Sequence, residues 1–138
     1  VKHFILFLFL ASCASRPDAV NGVSVLGVPH DVVQNAAEGA AICLGLGFEL
    51  PRDPFAGVVV KASHDLNAKG ETRGSTIEVS AEREAWKLEQ VLSHEFVHVA
   101  LTRYRPNIAN HHQFMEQGGI CFGGCESMPP GRYTKGCE

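Results

Sequence analysis

An α+β fold follows from three observations. Two stretches repeat apolar residues at helical spacing, Val32 to Leu44 and Leu88 to Ala100. Three shorter stretches are β-branched or alternate polar with apolar residues, Gly22–Val28, Gly57–Ala62 and Ser75–Ser80. The length of 138 residues, 45% hydrophobic and 20% charged, suits one domain with a single modest core. The expected architecture is a short twisted sheet packed on one long helix, with a second helix and a C-terminal tail stapled by disulfides. The net charge of −3 comes without a basic patch or an acidic run, so nucleic acid is not an expected partner.

Residues 1–12 read as an export signal. Lys2 precedes the apolar run Phe4 to Leu10, and small residues follow at Ala11-Ser12-Cys13. The run is too short to span a bilayer. Leu10-Ala11-Ser12-Cys13 resembles the bacterial lipobox, which implies a lipidated Cys13 at the mature N-terminus and a membrane anchor. An ordinary signal peptide cut near Cys13 is the competing expectation. Ala14 is not acidic, which in a Gram-negative cell points to an outer-membrane address. Residues 13–21 then form a tether, and residues 22–138 the single domain.

Within that domain Gly22–Val28 is a strand that Pro29-His30 ends. Asp31 reads as a helix N-cap, with Gln34 as its capping-box partner. Val32, Val33, Ala36, Ala37, Ala40, Ala41 and Leu44 form the buried stripe of the first helix, whose alanines allow close approach. Gly45 and Gly47 end it. His30 is expected at the surface. After a loop at Pro51–Pro54 comes the strand Gly57–Ala62. His64 to Gly74 is polar and marked by Asn67, Gly70 and Gly74, so it is read as a loop. Ser75–Ser80 alternates as a strand with one face in the core. Ser80 is the expected cap of the long helix, from about Ala81 to Arg103, with Glu82 and Glu84 at its positive end. Leu88, Val91, Leu92, Phe96, Val99 and Ala100 form its apolar face, and Trp86 a core or rim position. Arg103 and Arg105 suit its negative end and Pro106 stops it.

The cysteines agree with export. Of five, Cys13 is set aside as the expected lipidation site; Cys43, Cys121, Cys125 and Cys137 remain. An even number in an oxidising compartment predicts two disulfides, with three pairings open. Cys121, Cys125 and Cys137 lie in a tail rich in Gly and Pro, where such staples each contribute a few kcal/mol. A second zinc site at Cys121 and Cys125 is the competing expectation.

The stretch with the sharpest chemistry is His94-Glu95-Phe96-Val97-His98, late in the long helix. Histidines four apart lie one turn apart on one helix face, so two neutral imidazoles can share one zinc ion. Glu95, beside them, is placed to take a proton from an activated water. A third ligand must come from beyond Pro106, since catalytic zinc usually has three protein ligands and one open position. His111, His112 and Glu116 are the candidates. The histidine pair is favoured and, because adjacent residues point in different directions, one of the two is expected to ligate. A polar turn opening a short helix with no metal role is the bland alternative for this stretch.

His94 to His98, with a histidine a little over a dozen residues on and Phe114-Met115 just after it, resembles the zincin metallopeptidases, most closely small SprT-like members. The likeness covers Leu92 to Glu116. It implies a zinc metallopeptidase that hydrolyses peptide bonds in a peptide or protein substrate. It implies that Zn2+ is held by His94, His98 and the third ligand, with Glu95 as general base. It further implies that the strand before the helix, Ser75–Ser80, forms the cleft edge. An oxyanion partner is also implied, with Tyr104, Tyr133, Arg103 and Arg105 as candidates and both tyrosines favoured for structural roles. The rival expectation is a lipoprotein that keeps the metal for structure or binding, without turnover.

Overall fold

Alternation sets the sheet. In the strand Thr76–Ser80, Ile77 and Val79 are fully buried while Thr76, Glu78 and Ser80 are half-exposed, so one face meets the core and the other meets water. The computed structural model describes residues 19–45, 49–66, 68–82 and 84–117, without the side chains of residues 85, 86, 116 and 117. The export signal, Cys13, Tyr133, Cys121, Cys125 and Cys137 lie outside the described residues, as do the side chains of Trp86 and Glu116.

The architecture is α+β. In chain order the elements are β1 (Ser24–Leu26), α1 (His30–Gly45), β2 (Val59–Ser63), β3 (Gly70–Arg73), β4 (Thr76–Ser80), α2 (Ala85–Tyr104) and α3 (His111–Gln117). The four strands are ordered β1-β2-β4-β3. β1 and β2 pair parallel, as do β2 and β4, with Val60 opposite Ile77. β3 pairs antiparallel with β4, with Thr72 opposite Ile77 and Glu71 opposite Glu78. On the outward face Lys61 Nζ lies 2.9 Å from Glu78 Oε1, and Arg73 Nε lies 2.9 Å from Glu71 Oε1. The like-charged Glu71–Glu78 pair is thereby flanked by a cation on each side.

α2 is the element the others pack on. It meets α1 and also β3 and β4, so more than one stripe of it is buried. Leu88, Val91, Leu92, Phe96, Val99 and Ala100 are buried as the periodicity predicts, and Val97 and Leu101 are buried too. Phe55, from the loop before β2, packs tilted against Phe96 at 4.6 Å between ring centres. Burying each such ring stabilises the fold by about 2–3 kcal/mol. The alanine stripe of α1 lets α2 come close enough for Ser93 Oγ to donate to Ala36 O at 3.3 Å. Cys43 is buried. Ala19 is buried and Val23 N–H bonds Val20 O at 3.0 Å, so packed structure includes residues ahead of Gly22.

Four expectations need correction. β3 occupies Gly70–Arg73, in the stretch read as a loop. It takes the sheet edge, so β4 is internal rather than the cleft edge. Ser80 does not cap α2. It ends β4, with its N–H on Lys69 O at 3.2 Å, and α2 starts after Glu84 without a side-chain cap. Asp31 is not an N-cap but lies in the first turn of α1, which begins at His30, and Gln34 bonds Glu38 at 3.0 Å instead of reaching back.

Candidate metal centre

The motif sits where α2 passes under the edge strand. Phe96 and Val97 point into the core, leaving His94 and His98 half-buried along one side of the helix and Glu95 largely buried under β3. Gly70 allows this approach. A Cβ there would lie 2.5 Å from Val91 Cγ1 and 3.1 Å from Glu95 Oε1, closer than atoms pack. Gly74, with φ of 61°, opens the two-residue turn joining β3 to β4. Thr72 therefore faces α2, as Ile77 opposite it does, and Thr72 Oγ1 donates to Glu95 Oε2 at 2.5 Å.

Beyond the stop at Pro106 the chain turns back, and Asn110 opens α3. Asn110 Oδ1 accepts the Gln113 N–H at 2.9 Å and Asn110 O accepts the Phe114 N–H at 3.1 Å, the bonds of an N-cap. Met115 is buried and Phe114 packs against the core, so the far end of α3 anchors its first turn. That turn carries His111 and His112 to the motif.

Three imidazoles converge. His98 Nε2 stands 3.0 Å from His94 Nε2 and 3.1 Å from His112 Nε2. One nitrogen from each of His94, His98 and His112 can be chosen so that all lie within 4.8 Å of one another, a set that can hold a metal ion. Burial, and then the neighbouring His112, pushes the His94 imidazolium down to about 4. Burial, followed by His94, His112 and His111, pushes His98 down to about 3. Both are thus neutral at pH 7, the state a metal ligand requires. The donor set fits a cation on simple grounds. His94 Nε2 and His112 Nε2 both stand about 3 Å from His98 Nε2, and two donors cannot share its single in-plane lone pair well. A cation satisfies all three lone pairs at once. Among the described residues these three imidazoles are a donor set that zinc accepts.

The cleft around these groups has a volume of about 420 Å³. β3 and its turn form one wall, His94, Glu95 and His98 the floor, and His111 and His112 the facing side. Burial raises the pKa of Glu95, the Thr72 hydroxyl opposes this by bonding the carboxylate, and the charge of Glu71 raises it further. Glu95 is therefore a carboxylate with enhanced affinity for a proton, held by one donor beside the imidazole cluster.

The histidine pair is divided by the structure. His112 joins the cluster through Nε2, whereas His111 Nδ1 lies 2.9 Å from His98 Nδ1, on the other side of the His98 ring. His30 is exposed, as expected, and His64 is exposed in the loop after β2. Arg103 and Tyr104 are engaged elsewhere. Arg103 donates to Ala56 O and Ser75 Oγ at 2.9 Å each, and the Tyr104 hydroxyl donates to Pro54 O at 2.7 Å. Neither they nor Arg105 line the cleft, so none of the three is placed as an oxyanion partner. Sequence reasoning missed Thr72 and Gly70 on β3 and the capping role of Asn110. A Gly-Ser pair before an alternating strand and an Asn three residues ahead of a glutamine were the available signals.

Among the described residues no helix is long and apolar enough to cross a membrane. No family model, curated protein or solved structure matches the chain.

Proposed function

We propose that this chain is a zinc-dependent peptidase of the zincin type. The observation that carries the reading is the convergence of three imidazoles on one point with a buried carboxylate in the same cleft. His94, His98 and His112 would hold the ion. When bound, zinc supplies Lewis acidity toward a water and a scissile carbonyl. Glu95 takes the proton of the attacking water and delivers it to the leaving amine. Its raised proton affinity suits both halves of that task. Among the described residues β3 is the outermost strand and it lines the cleft, where an extended peptide can add a strand through main-chain hydrogen bonds. The same proposal includes export with a lipid anchor at Cys13, and a tail stapled through Cys121, Cys125 and Cys137. Three protein ligands among the described residues match the count of a catalytic zinc site, whereas a structural zinc is usually enclosed by four.

Glu95→Gln tests this directly. It removes the base and keeps the shape, so zinc affinity stays near wild type while cleavage of a peptide library drops by about 100-fold or more. A wild type that binds zinc and cleaves nothing, or an E95Q variant as active as wild type, overturns the peptidase reading.

A further inference from the structure

His98 has two ring nitrogens with different neighbours. Nε2 points into the cluster, 3.0 Å from His94 Nε2 and 3.1 Å from His112 Nε2. Nδ1 points out of it, 2.9 Å from His111 Nδ1. A neutral imidazole carries one hydrogen. If Nε2 gives its lone pair to a metal, that hydrogen sits on Nδ1 and needs an acceptor. The acceptor the structure offers is the Nδ1 lone pair of His111, whose own hydrogen then sits on Nε2.

We propose that His111 is a positioning residue of the metal centre, accepting the His98 Nδ1–H bond and so fixing the tautomer and ring plane of His98. The inference rests on the metal-centre reading above. Consecutive residues on a helix diverge by about 100°, and the His111–His112 pair uses that divergence to bracket one ring. His112 meets the His98 ring at Nε2 and His111 meets it at Nδ1. The N-cap at Asn110 fixes the start of α3, and with it which histidine takes which side. Partners of a ligating imidazole are often carboxylates. An imidazole orients His98 without adding negative charge to the cleft that Glu95 shares.

The test uses the full chain with His111→Ala, His111→Phe, His111→Asn and, for comparison, His112→Ala. The readouts are zinc affinity, by competition with a chromophoric chelator, and the visible spectrum of the Co2+-loaded protein. H111A and H111F, the latter keeping a ring but no acceptor, weaken zinc binding by about 10- to 100-fold. Both keep the intensity of the Co2+ bands, because the ligand number is unchanged. H111N, which restores an acceptor, returns most of the affinity. H112A loses a ligand, so its Co2+ bands change in intensity. Zinc affinity in H111A and H111F equal to wild type overturns the inference, and so does failure of H111N to recover. Co2+ bands in H111A that collapse as they do in H112A would make His111 a ligand and overturn it as well. A wild type that binds no zinc overturns the metal centre itself, whereas a zinc-binding wild type with indifferent His111 variants removes this inference alone.

Discussion

Thr72 Oγ1 donates to Glu95 Oε2 at 2.5 Å, joining the edge strand to the helix across 23 residues of sequence. The bond holds the carboxylate at a fixed angle and favours its ionised form. Thr72→Val keeps the shape and removes the donor. The acid limb of the kcat/KM profile, which reports the free base, then moves to higher pH. Below that limb the rate falls by roughly tenfold, as expected for a lost hydrogen bond to a charged group. Thr72→Ser keeps the wild-type profile. A pH–rate curve unchanged in T72V contradicts this role.

Tyr104 is a fastener. Its hydroxyl donates to Pro54 O at 2.7 Å, and Arg103 holds the same loop. Tyr104→Phe therefore costs about 1 kcal/mol of stability, seen as a lower denaturation midpoint, and leaves kcat and zinc affinity at wild-type values. An oxyanion role predicts the reverse, a kcat loss of about 100-fold with stability unchanged.

How far the sequence carried the fold differs by element. α2 was legible because its stripe and the His94–His98 spacing obey one period. β3 was not, because Gly-Glu-Thr-Arg contains no apolar residue. It is held by backbone pairing with β4 and by the missing side chain of Gly70, and neither leaves a hydropathy signal. Its trace was the Gly74-Ser75 turn. The Ser80 cap failed because the Ser80 N–H pairs with Lys69 O, extending the strand through the position. Ligands on one helix face follow from the helical period alone. The choice between His111 and His112 does not, since it depends on which residue starts α3.

The histidine cluster makes the metal-free protein acid-sensitive. Both imidazoles have folded-state pKa values below the ordinary 6.5, near 4 for His94 and near 3 for His98. Below pH 6.5 the unfolded chain therefore binds protons that the folded chain refuses, and stability falls as pH drops toward 4 and then 3. The slope is at most about 1.4 kcal/mol per pH unit for each imidazole, reduced by solvent screening at their exposed edges. Glu95 acts in the opposite sense. Its raised pKa favours the folded state at low pH, and that contribution is lost as pH rises through the folded value. Two imidazoles outweigh one carboxylate. Urea midpoints of the metal-free protein should decline from pH 6.5 to 4, and His98→Leu should flatten the decline. A midpoint constant over that range contradicts the buried, neutral state of the cluster.

The most direct test is the metal content of the purified full chain, measured by inductively coupled plasma mass spectrometry beside a His94→Ala/His98→Ala variant. One zinc per chain in the wild type and none in the variant is the predicted result. A wild type without stoichiometric zinc after exposure to excess ion, or a variant that retains it, contradicts the metal centre formed by His94, His98 and His112.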